Sequence, residues 1–125
     1  MTRPILFWGA VNAAVAVAMG AFGAHGLKEA IEPSLIAVYQ TGAQYHIFHA
    51  LGLLLVGVIA RDCPSRLVNV SGWLLLAGIV LFSGSLYLLA ITGVRWLGAI
   101  TPFGGTAFII AWLLLAVAVL RRDVA

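Results

Sequence analysis

Charged residues are confined to the short segments that separate four long apolar runs. The runs cover residues 5–22, 41–60, 70–91 and 102–120, and none of them contains Asp, Glu, Lys or Arg. A run of about 20 apolar residues is long enough for a helix to cross the hydrocarbon layer of a bilayer. The sequence therefore predicts a single membrane domain, residues 1–125, with an all-α fold: an integral membrane bundle of four transmembrane helices.

Composition excludes the main alternatives to a membrane protein. Hydrophobic residues make up 63% of the chain and charged residues 9%, whereas soluble domains carry about 25% charged residues. So few charges cannot cover the surface of a soluble globule, and disordered chains are polar and highly charged. The net charge of +3 comes from single or paired basic residues between the apolar runs. This distribution is typical of membrane anchors, so no nucleic-acid partner is expected.

The prolines indicate where the helices begin. Each lies just before or at the start of one run, where its missing N–H is not needed. The four are Pro4, Pro33, Pro64 and Pro102. Helices 2 and 3 are accordingly predicted to begin near Ser34 and Ser65. Thr101 is predicted to be the N-cap of helix 4, with proline at the first helical position.

The basic residues predict the orientation of the bundle. With four spans, the two termini and the loop between helices 2 and 3 share one side of the membrane. That side carries five of the seven basic residues: Arg3, Arg61, Arg66, Arg121 and Arg122. The other side carries Lys28 and Arg95. Because cytoplasmic segments are enriched in Lys and Arg, both termini are expected in the cytoplasm.

Polar residues within the spans concentrate in the outer half of the predicted bundle. On helix 2, Thr41, Tyr45 and His49 share one helical face, with His46 at its edge. This face is expected to turn inward against the other helices. Four further polar residues belong to the same half: His25, Ser83, Tyr87 and Thr106. Gly84 is expected to let a neighbouring helix approach. The inner half is expected to hold only Asn12 and Ser71.

Two roles are open for the outer polar cluster. In the first, its side chains exchange interhelical hydrogen bonds that hold the bundle together. In the second, they line an outward-facing vestibule for a small solute or ligand, formed by His25, Tyr45, His49, Ser83, Tyr87 and Thr106. A vestibule requires a polar cavity that reaches His49 from the outer side. A structural histidine is instead sealed by apolar side chains and hydrogen-bonded to a neighbour.

Catalytic, metal and cofactor sites are not expected. His46 and His49 are three residues apart, but zinc prefers three or four ligands, and the spans hold no carboxylate or cysteine to complete such a set. His25 follows helix 1 and should lie about 10 Å shallower than His49. A haem held by His49 alone is the remaining redox alternative. Cys63 is the only cysteine, which excludes an internal disulfide. Coupled transport is disfavoured because no acidic residue lies in a span.

Small residues predict two features of helix 1. Gly23 or Gly26 is expected to end the helix in a left-handed cap. Two rows of small residues recur every fourth position, the first at Gly9, Ala13, Val17 and Ala21 and the second at Ala10, Ala14 and Ala18. Such rows are typical of close helix contacts in membranes, so a homo-oligomer through these faces is expected.

Four motifs occur in order along the chain. They are GAFGAHGLK at 20–28, YHIFHA at 45–50, FSGSLY at 82–87 and ITPFGG at 100–105. Together they resemble the domain-of-unknown-function 423 family, the small YgdD/YwdK-like inner-membrane proteins, and the resemblance covers nearly the whole chain. It implies a four-span protein of the bacterial inner (plasma) membrane, and it implies no established reaction, cofactor or protein partner.

The motif match identifies several family-typical positions without assigning them roles: His25, His49, Tyr87, Thr101-Pro102 and Gly104-Gly105. The function expected from residues and resemblance together is that of a small multi-pass membrane protein, a non-enzymatic structural or interaction component. The alternative is a small-solute permeation or ligand-binding protein that uses the outward-facing vestibule around His49.

Overall fold

The computed structural model describes residues 2–121, and over this range the chain forms four long helices and no strand. The helices are α1 (Thr2–Leu27), α2 (Pro33–Asp62), α3 (Arg66–Thr92) and α4 (Thr101–Leu120). A short 3-10 helix, Arg95–Ala99, leads into α4 and extends the fourth span. All four spans are long and apolar enough to cross a membrane, which confirms the predicted all-α, four-span fold. Arg122 and Asp123 lie outside the described residues.

The helices pack in pairs around a main apolar core, which a smaller cluster of Leu27, Tyr39, Tyr87 and Ala90 accompanies. α1 packs chiefly against α2, and α4 packs chiefly against α3, while α2 and α3 contact each other in the middle. Leu53 and Val56 of α2 meet Leu75 of α3 and Phe108 of α4 in this core. Large apolar side chains also cover the outside of the bundle, as expected for helices that face lipid.

Two of the helices contain a π-helical turn. Gly23–Leu27 closes α1, and Ile79–Ser83 interrupts α3. The left-handed cap predicted at Gly23 or Gly26 is wrong, because α1 continues through this turn to Leu27. Among the described residues, Gly93 is the glycine with a positive φ, 74°, and it ends α3. Gly23 provides space instead, since a Cβ there would collide with the ring of Tyr39.

The helix starts agree with the prolines and depart from the predicted cap of α4. α2 begins at Pro33, and Ser65 is the N-cap of α3, where its hydroxyl accepts from the Leu67 N–H at 3.1 Å. The N-cap assigned to Thr101 is wrong, because Ile100 holds that position. Ile100 already has helical dihedrals, so α4 follows directly from the 3-10 turn. The Thr101 hydroxyl lies 2.6 Å from Ser85 Oγ of α3 instead.

Glycines allow α4 to cross α3 at its π-helical turn. A Cβ on Gly104 would collide with the backbone of Phe82, and a Cβ on Gly78 would collide with the ring of Phe108. Gly84, predicted to admit a neighbouring helix, has open space beside it. That prediction is wrong, because the contact is made by the residues before it. Small residues at this crossing let the backbones approach closely, as is common between membrane helices.

Candidate functional site

The buried face of α2 positions the polar side chains of the bundle. Its buried residues recur at spacings of three and four: Tyr39, Gly42, His46, His49, Leu53 and Val56. Thr41 and Tyr45, predicted to turn inward with His49, are exposed. The face of α2 that turns inward is centred closer to His46 than predicted. This is because Gly42 lies against α3, where an added Cβ would come within 3.1 Å of the Leu86 Cβ.

His46 links three helices through its two ring nitrogens. Its Nδ1 lies 2.8 Å from the Tyr87 hydroxyl of α3, and its Nε2 lies 3.0 Å from Oδ1 of Asn12 on α1. Asn12 donates its own N–H to the Trp8 carbonyl at 2.8 Å, so its Oδ1 is an acceptor. His46 therefore donates from Nε2 and accepts the Tyr87 proton at Nδ1. A neutral imidazole offers one donor and one acceptor, and both are used.

The link between Asn12 and His46 was not expected from the sequence. Asn12 is assigned to the inner half by the sequence and His46 to the outer half, yet their side chains are in contact. Depth counted along separate helices ignores their tilt and the reach of the side chains. The available signal was the isolation of Asn12: a single amide in an apolar span requires an internal partner.

His49 also uses both ring nitrogens inside the bundle. Its Nδ1 donates to the Tyr45 carbonyl at 2.8 Å, and its Nε2 accepts from the Trp112 indole N–H of α4 at 3.1 Å. Its ring stacks on Phe108, with ring centroids 3.6 Å apart and planes 11° apart. Because an indole N–H can only donate, the proton of a neutral His49 is on Nδ1. The two histidines thus hold opposite tautomers.

Tyr39 extends the network toward the end of α1. Its side chain is 1% exposed, and its hydroxyl donates to the Met19 carbonyl at 2.6 Å. Its ring lies against Gly23, and its centroid is 5.1 Å from that of Tyr87. Tyr39 was not among the predicted site residues. Its contact with Gly23 depends on how α1 and α2 pack against each other, which the sequence pattern does not specify.

The six predicted site residues fall into two groups. Ser83, Tyr87 and His49 are buried, but in three separate contacts: Ser83 donates to the Gly42 carbonyl at 2.8 Å, Tyr87 contacts His46, and His49 contacts Trp112. Three others are exposed: His25, Tyr45 and Thr106. Of these, Tyr45 still contacts His49, because its carbonyl accepts from His49 Nδ1 and the two rings are stacked with centroids 6.0 Å apart. The Thr106 hydroxyl donates to the Pro102 carbonyl within its own helix, at 2.8 Å.

These contacts bear on the two roles considered for the cluster. His49 is 7% exposed, stacked on Phe108 and hydrogen-bonded to Trp112, which are the surroundings expected of a structural histidine. The vestibule stays a prediction. Within residues 2–121, no group of three or more His, Cys, Asp or Glu side chains is placed to hold a metal ion.

The fold and the site define a class: a small helical membrane protein with four spans, whose buried polar side chains pair with one another across the helices. The family described as "Protein of unknown function (DUF423)" matches residues 19–105 of the chain. The chain belongs to this family, which confirms the resemblance carried by the four motifs.

Bacterial relatives cover nearly the full length of the chain. It is 54% identical to the UPF0382 membrane protein YwdK of Bacillus subtilis, over 95% of this chain and 98% of the relative. It is 52% identical to a UPF0382 membrane protein of Staphylococcus epidermidis, over 95% and 97% of the two chains. A Staphylococcus saprophyticus relative, UPF0382 membrane protein SSP2132, is 49% identical over 92% and 95%. No solved structure matches the chain.

Proposed function

We propose that the chain is a non-enzymatic structural or interaction component of the bacterial inner membrane. The observation that carries this proposal is the internal pairing of its buried polar side chains. His46 and His49 each use both ring nitrogens on partners within the bundle. In residues 2–121, Asn69 Oδ1 is the only buried side-chain nitrogen or oxygen without a hydrogen-bond partner.

Paired groups of this kind support a structural role. A catalytic or ligand-binding side chain presents a donor, an acceptor or a nucleophile toward a cavity. Tyr87, His46 and Asn12 instead join α3, α2 and α1 in one chain of hydrogen bonds. Each interhelical bond in a membrane stabilises helix association by about 0.6 kcal/mol. Together these hydrogen bonds favour one arrangement of the three helices. The outer surface of the bundle is then fixed, which suits contact with a partner.

A second copy of this chain is the partner that we propose, at the lipid-facing side of α1. The first row of small residues is used inside the bundle at Gly9, where an added Cβ would lie 2.9 Å from Leu54 Cγ. The second row, Ala10, Ala14 and Ala18, is exposed. Small side chains at every fourth position allow two membrane helices to approach closely, so this row supports contact between two α1 helices.

Cysteine crosslinking at Ala14 tests the proposed contact. In a Cys63→Ala background, Ala14→Cys is expected to form a disulfide-linked dimer when native membranes are oxidised, because two α1 helices would bring the thiols together. Leu113→Cys is the matched control, since Leu113 is 61% exposed on α4 and belongs to no row of small residues. Crosslinking at Leu113 equal to that at Ala14, or at neither position, would contradict a second copy on α1.

Both termini are proposed to face the cytoplasm. The basic residues favour this orientation, with Arg3, Arg61 and Arg66 among those on the proposed cytoplasmic side. The Cys63 thiol lies 3.8 Å from the Ala118 carbonyl, so the loop between α2 and α3 is at the same end of the bundle as the end of α4.

Accessibility of engineered thiols tests the orientation. Cys63 itself is buried, so the test uses Ala30→Cys and Asp62→Cys, each in the Cys63→Ala background and each at an exposed position. In cells whose envelope outside the inner membrane has been removed or permeabilised, a membrane-impermeant maleimide is expected to label Ala30→Cys without further treatment. Asp62→Cys should react only after the membrane is opened. The reverse order would show that the termini face outward.

A further inference from the structure

An open groove lies at the end of the bundle opposite the chain termini. It has a volume of about 610 Å³ and lies between the α1–α2 loop and the end of α3. Its apolar lining is Ala30, Ile31, Leu35, Ala90 and Ile91. Its charged lining is Glu29, Glu32 and Arg95, all three exposed. We call it the outer groove.

The outer groove lies where the spans meet water. α3 ends at Thr92, and Gly93 closes it by donating its N–H to the Leu89 carbonyl at 2.7 Å. α2 begins at Pro33, directly after Glu32. The charged residues are therefore at the level of lipid headgroups, while Ile91, which is 48% exposed, continues the apolar lining onto the lipid-facing surface.

The charges of the outer groove have both signs. Glu29 and Glu32 attract a cation, and the C-terminal end of α3 adds partial negative charge from its last carbonyls. Arg95 offers a planar set of N–H donors that suits a phosphate. The complementary ligand carries an ammonium and a phosphate close together, and it has an apolar part that covers Ile91 and Leu35.

We propose that the outer groove binds a phospholipid whose headgroup carries a primary ammonium beside its phosphate, as in an ethanolamine phospholipid. A primary ammonium donates hydrogen bonds to carboxylates, which the quaternary ammonium of a choline headgroup cannot do. A glycerol headgroup brings only the phosphate charge and no ammonium for the two glutamates. The proposal depends neither on the second copy nor on the orientation of the bundle.

Lipid titration of the purified full-length chain tests the proposal. Ethanolamine, choline and glycerol phospholipids with identical acyl chains are added in detergent, and bound lipid is counted by native mass spectrometry. The wild-type chain is expected to bind the ethanolamine lipid about fivefold more tightly than the choline lipid. The E29Q/E32Q variant should bind both equally. R95Q should weaken both to the same extent and keep their ratio.

Lys28→Gln is the matched control, because Lys28 is charged and adjacent but does not line the outer groove. It should leave all three affinities unchanged. The single variants E29Q and E32Q should each lose part of the preference for the ethanolamine lipid, which keeps the test decisive if the double variant is too unstable to purify.

Equal binding of the ethanolamine and choline lipids by the wild type, or preference for the glycerol lipid, would overturn the proposal. So would complete displacement by soluble phosphoethanolamine at the same concentration, since a free headgroup would then be the ligand.

Discussion

Replacing Gly104 by alanine is expected to destabilise the bundle by about 2 kcal/mol, because overpacking a tight contact costs roughly 1–3 kcal/mol. The added Cβ would collide with the backbone of Phe82, which cannot rotate away as a side chain can. α4 would have to move off the π-helical turn of α3. Alanine is the better helix former by up to about 1 kcal/mol, which offsets part of the loss.

Gly105 provides the matched control for this substitution. A Cβ there would lie 3.7 Å from the Phe82 ring, an ordinary contact. Gly105→Ala is therefore expected to be neutral or slightly stabilising. Unfolding of the purified variants by SDS, followed by Trp fluorescence, gives the difference between them. If the two variants unfold at the same SDS concentration, α4 does not cross α3 at Gly104.

Replacing His46 by leucine is expected to destabilise the bundle by about 1.5 kcal/mol, since two interhelical bonds are lost and two buried groups are left unpaired. The orphaned groups are the Tyr87 hydroxyl and the Asn12 amide oxygen. Tyr87→Phe in the same chain removes one of them. The double variant His46→Leu/Tyr87→Phe should therefore be more stable than the sum of the two single changes implies.

The control for His46 is His25, which is exposed. His25→Leu is expected to change the free energy of unfolding by less than about 0.5 kcal/mol, as is usual at the surface. Additive effects of the His46 and Tyr87 changes in SDS unfolding would show that these side chains do not interact. A loss at His25 as large as that at His46 would show that the loss at His46 does not come from its buried hydrogen bonds.

The fold could be predicted because burial in lipid acts on whole segments. Each span needs only a run without charges, and the runs around Ile5, His49, Trp73 and Ile109 meet that condition. Which side of each span is buried was harder to predict, because these helices are apolar all round and periodicity then carries little information. Tyr45 was expected inside and is 40% exposed.

The site could be predicted only in part for the same reason. Which face of α2 turns inward depends on the close contact of Gly42 with Leu86 and on the π-helical turn at Ile79–Ser83. Neither can be predicted from the periodicity of a single helix. His49 is buried and accepts from Trp112, and Trp112 is not among the site residues predicted from the sequence. Asn12 and His46 are predicted at different depths in the membrane, and their contact depends on how α1 and α2 pack against each other.

The four family motifs meet in one region of the bundle. Gly23 of the first motif lies against Tyr39, whose ring is next to Tyr87 of the third motif. His46 of the second motif contacts Tyr87 as well. Gly104 of the fourth motif lies on the backbone of the third. Contacts between helices thus connect residues of all four motifs, whereas His25 of the first motif is exposed and takes no part in them.

As structural groups with fixed partners, the two histidines of the bundle interior should each hold one tautomer, and these tautomers test the proposed structural role most directly. Ring nitrogen NMR of the full-length chain at neutral pH, labelled at histidine, reports which nitrogen carries the proton. The hydrogen bonds predict a proton on Nε2 of His46 and on Nδ1 of His49. The same tautomer at both residues, or a mixture of tautomers at either, would contradict that role.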